Sequence, residues 1–195
     1  ETVGAALVAH AATAGVCFTG STQVAKIIQR TLAASDGPIV PLIAETGGLN
    51  AMVVDSSALP EQVIDAVVHS AFRSAGQRCS ALRVLCVHES VADGVIEMIK
   101  GALAELRVGD PSKLETDVGP LIDAEAFAGI SANIERLRRE AKLIAEGGKH
   151  DAHVANLVAP IAFEVKDIAD LKTEIFGPVL HVLRWGGAPA AVIEK

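Results

Sequence analysis

The sequence predicts an α/β fold built on at least one mainly parallel sheet. Short apolar, β-branched runs alternate along the chain with segments whose apolar positions recur every three or four residues. The first part of the chain reads strand, helix, strand, at the spacing of a parallel α/β unit. With 195 residues, 50% of them hydrophobic, the chain can build one fair-sized core or parts of two.

Taken in order, Val3 to His10 is an alanine-rich helix, and Gly15 to Thr19 a short apolar strand. A helix is expected from Gln23 to about Ala34, since Val24, Ile27, Ile28 and Leu32 fit a 3.6-residue period. Asp36-Gly37-Pro38 ends it. Ile39 to Ala44 reads as a buried strand whose proline suits an edge or a bulge. Ala51 to Val54 is another strand. Asp55-Ser56-Ser57 and Pro60 open a helix with the inner stripe Val63, Ala66, Val67, Ser70 and Ala71, and Gly76 closes it. The apolar run Ala81 to Val87 reads as a buried strand. Glu89 starts a long helix to about Leu106, with Val91, Val95, Met98, Ile99, Ala102, Leu103 and Leu106 on one face.

After a polar connection, Asp123 caps a helix with the stripe Phe127, Ile130, Ile134, Leu137 and Ala141. Its opposite face, Glu135, Arg136, Arg138 and Arg139, reads as a solvated surface. Leu143 to Ala145, Leu157 to Phe163 and Val179 to Trp185 complete the strands, with a loop over Gly147 to Asn156.

Composition excludes several roles. The formal net charge is −7, charges of both signs are interspersed, and tyrosine is absent, which argues against nucleic acid as a partner. The cysteines, at 17, 79 and 86, have no C-x-x-C spacing, so neither a disulfide framework nor a zinc site is expected. That usage suits a reducing compartment, the cytoplasm. The uncharged stretch Thr2 to Ala25 is interrupted by His10, Thr13, Gln23 and several glycines, so no membrane span is expected. A start at Glu1 without Met, already in a helical pattern, suggests a piece of a longer protein.

Four stretches can carry chemistry. Cys79 follows a glycine and precedes an apolar strand, a connection on which a thiol can face a cleft. The thiolate is the nucleophilic form, and positive charge such as that of Arg73 or Arg78 favours it; otherwise a free cysteine is a small buried hydrophobe. Glu45 comes directly after an apolar strand, with two glycines close behind, where α/β sheets place ligands and a carboxylate can act as general base. Gly20-Ser21-Thr22, between a strand and a helix, suits an anion such as phosphate, or simply a helix cap. Glu174-Ile175-Phe176-Gly177-Pro178 places an acid and an aromatic in a rigid turn. The loop His150-Asp151-Ala152-His153 lacks a third well-placed ligand, and no metal is expected there.

The order FTGST at 18–22, AETGG at 44–48, GQRCS at 76–80 and EIFGPV at 174–179 resembles the NAD(P)-dependent aldehyde dehydrogenase superfamily. The wording IAETGGLNAMVVDSSAL followed by SAFRSAGQRCSALRVL is similar to the aldehyde dehydrogenase module of the bifunctional proline utilization A enzymes. The resemblance implies residues 1–48 as the C-terminal part of a Rossmann-type NAD-binding domain. Residues 49–195 would be an α/β catalytic domain, truncated at its end. It implies NAD-dependent oxidation of L-glutamate γ-semialdehyde to glutamate, with NADP not excluded, and FAD only where a proline dehydrogenase domain precedes the segment. Cys79 would form a thiohemiacetal and then a thioester, and Glu45 would activate the hydrolytic water. Gly4, Gly20, Ser21, Glu174 and Phe176 would contact the cofactor, and Ser80 the substrate carboxylate.

The resemblance also implies a homo-oligomer for the full-length protein, and that the family's oxyanion asparagine and ribose lysine precede Glu1. This chain has Thr46 where leucine is frequent and Ala25 where glycine is frequent. Alone, the chain is expected to be inactive. A different aldehyde, and a structural fragment without catalysis, remain the alternatives.

Overall fold

The computed structural model describes residues 2–151, 153–171 and 173–194, with Lys149 and His150 described by their backbone. The chain forms two compact units, Glu1–Gly48 and Leu49–Lys195.

In the first unit, α1 (Thr2–Ala9) leads to β1 (Val16–Thr19), α2 (Thr22–Ala33) and β2 (Leu42–Glu45). The strands pair in parallel, Val16 opposite Leu42 and Thr19 opposite Glu45. The expected buried strand from Ile39 is therefore shorter, starting after Pro41, whose carbonyl accepts from Val16 N–H at 2.9 Å. It is also mostly exposed, because a two-stranded ribbon has little to cover its faces. Of the hydrophobic residues of this unit only Ala25 and Ile28, on α2, are buried.

The second unit is a five-stranded sheet in the order β3 (Ala51–Val54), β4 (Val84–His88), β9 (Val179–Trp185), β8 (Ile161–Val165), β6 (Lys142–Glu146). The first four strands are parallel, and the edge strand β6 is antiparallel. This is the mainly parallel sheet that the apolar runs predict. Helices α3 (Pro60–Ala71), α4 (Glu89–Glu105) and α5 (Ala124–Glu140) supply buried stripes, including Val67, Ile99 and Leu137. They pack with Leu85, Phe163 and Leu180 in the main core. A smaller cluster gathers Val84, Cys86, Leu183 and Trp185 with Val192 of α6 (Ala190–Ile193). That short helix and the two-residue pair β5 (Arg107–Val108) with β7 (Lys149–His150) have no periodic signal long enough to read.

Several boundaries differ from the sequence pattern for local reasons. Asp55 does not cap α3: its carboxylate accepts from the Ser57 hydroxyl and N–H, and Leu59 occupies the cap position. Ala66 is exposed, and Val63, Val67 and Ala71 make the stripe. Pro160 cannot donate to a ladder, so β8 begins at Ile161, whose N–H meets Pro178 O at 3.0 Å. Helix α3 ends at Ala71 rather than at Gly76, and the turn between them shapes the candidate site.

Candidate active site

Arg73–Gly76 forms one turn in which Ser74, Ala75 and Gly76 all have positive φ, at 56°, 52° and 66°. Left-handed backbone costs about 1 kcal/mol per non-glycine residue, so surrounding contacts must hold this turn. Gly76 is the position that requires glycine: a Cβ would lie 2.2 Å from Gly177 O. This close approach brings the segment before Cys79 against the Glu174–Pro178 turn. Gln77 braces it from another side, donating to Pro120 O at 3.3 Å and accepting from Ile122 N–H at 2.9 Å.

Cys79 and Ser80 sit at the tip of the tight turn closed by Ala81 N–H to Arg78 O, and both are exposed. Asn50, just before β3, donates through Nδ2 to Cys79 O at 2.6 Å and to Ala81 O at 3.1 Å. Asn50 O accepts from Arg83 N–H and Val84 N–H. Among the described residues Cys79 N–H donates to no protein group. The Arg78 guanidinium donates to His69 O and Ser70 O, capping the last carbonyls of α3.

Asn50, Cys79–Arg83 and Glu174–Pro178 thus lie before the amino ends of three adjacent parallel strands, β3, β4 and β9. Glu174 is joined to this frame by Arg83, which donates to its Oε1 at 3.0 Å from Nη2 and 3.2 Å from Nε. Phe176 is 44% exposed, with the Arg83 guanidinium carbon 5.3 Å from its ring centroid. Burial pulls the Arg83 guanidinium down from its ordinary value, and Glu174 works against that shift. His181, on β9, meets the Arg83 carbonyl through Nδ1 at 3.0 Å. Burial depresses its pKa to about 4.

Sequence reading missed Arg83, Asn50 and Gln77. Arg83 carried a usable signal, a lone charge inside an otherwise apolar strand run, which demands a buried partner. Asn50 and Gln77 carried none, since their bonds join residues far apart in sequence.

The remaining candidates lie in the first unit. Glu45 is the last residue of β2 rather than the residue after it, and its side chain is exposed. Its carbonyl accepts from Gly20 N–H at 3.1 Å. A Cβ at Gly20 would meet the Phe18 ring at 2.5 Å, so that side chain would have to shift. Ser21 is the N-cap of α2, its hydroxyl accepting from Val24 N–H at 3.2 Å. At Gly4 a Cβ would meet nothing within 4 Å.

In the 150–153 loop, Ala152 and the His150 side chain lie outside the described residues, and Asp151 is engaged by Lys113 Nζ and His153 N–H. Among the described residues no three His, Cys, Asp or Glu side chains gather as a metal site, and no helix is long and apolar enough to cross a membrane. The histidines on either side of Cys79 in sequence, His69 and His88, meet Asp65 O and Ser90 Oγ respectively.

Comparison with known proteins supplies the family. The chain is 50% identical over 194 residues to bifunctional protein PutA of Escherichia coli, covering 95% of this chain and 15% of that protein. It superposes with a TM-score of 0.92 on the crystal structure of a Bradyrhizobium japonicum proline utilization A mutant, at 56% identity, covering 99% of this chain and 19% of that one. A solved 1-pyrroline-5-carboxylate dehydrogenase matches with a TM-score of 0.86 at 32% identity, over 95% of this chain and 36% of that one. The chain thus spans about 15% of the length of the curated PutA relatives it matches. The sequence profile of the aldehyde dehydrogenase family matches residues 1–193, and the chain belongs to that family.

Proposed function

We propose that this chain is part of an NAD-dependent enzyme that oxidises L-glutamate γ-semialdehyde to glutamate. The observation that carries the reading is the Cys79 turn: an exposed cysteine, a braced carbonyl and an N–H that meets no acceptor among the described residues, on the strand end next to that of Glu174 and Phe176. Its likeness to a solved 1-pyrroline-5-carboxylate dehydrogenase favours the semialdehyde, the open-chain form of that pyrroline, over other aldehydes. Residues 1–48 are read as the end of the NAD-binding domain, and residues 49–195 as most of the catalytic domain.

Cys79 Sγ attacks the aldehyde carbon, and its proton passes to a base or to water, giving a thiohemiacetal. The Cys79 N–H donates to the oxygen that gains charge. A nicotinamide held here would supply the hydride acceptor that lets the Cys79 adduct become a thioester. Glu45 takes a proton from the water that cleaves the thioester, releasing the carboxylic acid and the thiol. Ser80, exposed beside the nucleophile, donates to the substrate's own carboxylate.

Within each unit, taken by itself, the residues present suit one part of a dinucleotide. Glu174 Oε2 accepts no hydrogen bond among the described residues and is open to a ribose hydroxyl, and Phe176 offers an exposed ring face. Gly20 and Ser21 lie at the start of α2 for the pyrophosphate, and Gly4 leaves open space for the adenosine side. NADP suits the same groups. FAD belongs to this proposal only as the cofactor of a proline dehydrogenase domain in the same longer chain. The full-length protein is proposed to be a homo-oligomeric enzyme of the cytoplasm.

The test is NADH formation by the longer natural chain, offered glutamate semialdehyde and uncharged aldehydes in parallel. A preference of about tenfold for the semialdehyde, roughly 1.4 kcal/mol in transition-state binding, is expected. A stronger preference for an uncharged aldehyde discards the substrate, and no reduction of NAD or NADP with any of them discards the enzyme.

A further inference from the structure

The turn that carries Cys79 and the turn that carries Glu174 share one buried charge. Arg83 is 0% exposed. Its Nη2 donates to Arg78 O at 3.2 Å and to Glu174 Oε1 at 3.0 Å, its Nη1 to Gly177 O at 3.2 Å, and its Nε to Glu174 Oε1 at 3.2 Å. Its own backbone is pinned on both sides, by Asn50 O to its N–H and by His181 N–H and Nδ1 to its carbonyl. A planar guanidinium can reach acceptors on two segments at once, whereas an ammonium is a single point of charge. A buried charge that loses one partner is left with a desolvated group to accommodate, so the two segments are not free to move separately.

We propose that Arg83 is a positioning residue that holds the Glu174 carboxylate and the backbone beside Cys79 in one frame. By occupying Oε1 it turns Oε2 toward the task of accepting a ligand hydroxyl. By holding Arg78 O it fixes the turn from which Cys79 projects. The inference rests on the reading of Glu174 as a contact to the dinucleotide and of Cys79 as the nucleophile.

The full-length natural enzyme is the material for the test, with Arg83→Lys, Arg83→Gln, Glu174→Ala and the double variant. Two readouts are taken: KM for NAD, and the rate at which iodoacetamide labels the Cys79 peptide without nucleotide. Arg83→Gln is expected to raise KM about tenfold, and Arg83→Lys, which restores charge without the fork, to recover less than half of that loss. In the Glu174→Ala background, Arg83→Gln is expected to add less than about twofold, because both changes break one link. Fully multiplicative effects overturn the proposal.

Should the Arg83 variants not fold, Glu174→Ala decides alone. A change of about threefold or more in Cys79 labelling without nucleotide supports the link, and an unchanged rate overturns it. If labelling changes while KM stays put, the cofactor role of Glu174 fails and the Arg83 link stands. If KM rises while labelling is constant, the reverse holds.

Discussion

Glu1–Gly48 and Leu49–Lys195 use similar proportions of apolar residues to opposite effect. In the first unit Val3, Leu7, Ile27, Ile39 and Ile43 are all exposed, and the hydrophobic side chains that are buried belong to α2 alone. In the second, α3, α4 and α5 each bury a stripe in the core, and Val67, Leu85, Phe163 and Val179 are wholly buried. The difference lies in layers rather than in composition: five paired strands faced by helices enclose a core, whereas two strands cannot. Helix α1 is apolar all round and yet buries no residue within this unit.

The largest consequence concerns local stability. Amides of β4, β8 and β9 are expected to exchange with deuterium several orders of magnitude more slowly than those of β1 and β2 in the 195-residue chain. Peptide-level exchange measured by mass spectrometry checks this, and equal protection in both units would break the contrast.

Next come two glycines in opposite surroundings. Gly76→Ala puts a methyl against the Gly177 backbone at a left-handed residue, and a loss of about 3 kcal/mol or more is expected in urea unfolding. Gly4→Ala, in an open helical position, should instead be neutral or stabilise α1 by up to about 1 kcal/mol. A costly Gly4→Ala would mean that α1 packs more tightly than its exposure suggests.

His181 gives a pH-dependent measure of the second unit. Its pKa falls from 6.5 to about 4 on folding, so between those values the unfolded chain binds the proton that the folded chain refuses. Stability therefore rises with pH across this window. It is fully present above the unfolded pKa and is reduced by about 3 kcal/mol once the pH falls below the folded one. His181→Asn keeps a donor for the Arg83 carbonyl and does not titrate, so its denaturation midpoint should lose that part of the pH dependence. An unchanged slope would assign acid sensitivity elsewhere.

The same contrast explains what could be read from the sequence. Stripes such as Val95, Ile99 and Leu103, and the run Val179 to Trp185, have a period that one buried face imposes, and they were legible. The strand at Ile39 was misjudged because apolar content states what a segment prefers, not whether anything covers it. Cys79, Glu174 and Phe176 were legible as motif residues, and the structure brings them to neighbouring strand ends. The bonds that hold them there were not. Arg83 to Glu174 and Asn50 to Cys79 cross 91 and 29 residues of chain, beyond any local pattern. The left-handed run at Ser74 and Ala75 was likewise hidden, since neither residue prefers it.

The Asn50 side chain has a chemical consequence of its own. One amide nitrogen serves two carbonyl oxygens on either side of Ser80. Hydrolytic deamidation, the ordinary ageing reaction of asparagine, would replace that donor with a carboxylate that can only accept. The aspartate would then face two oxygens and repel both. The turn that carries Cys79 would lose its brace without any change in side-chain size, and with the core packing untouched.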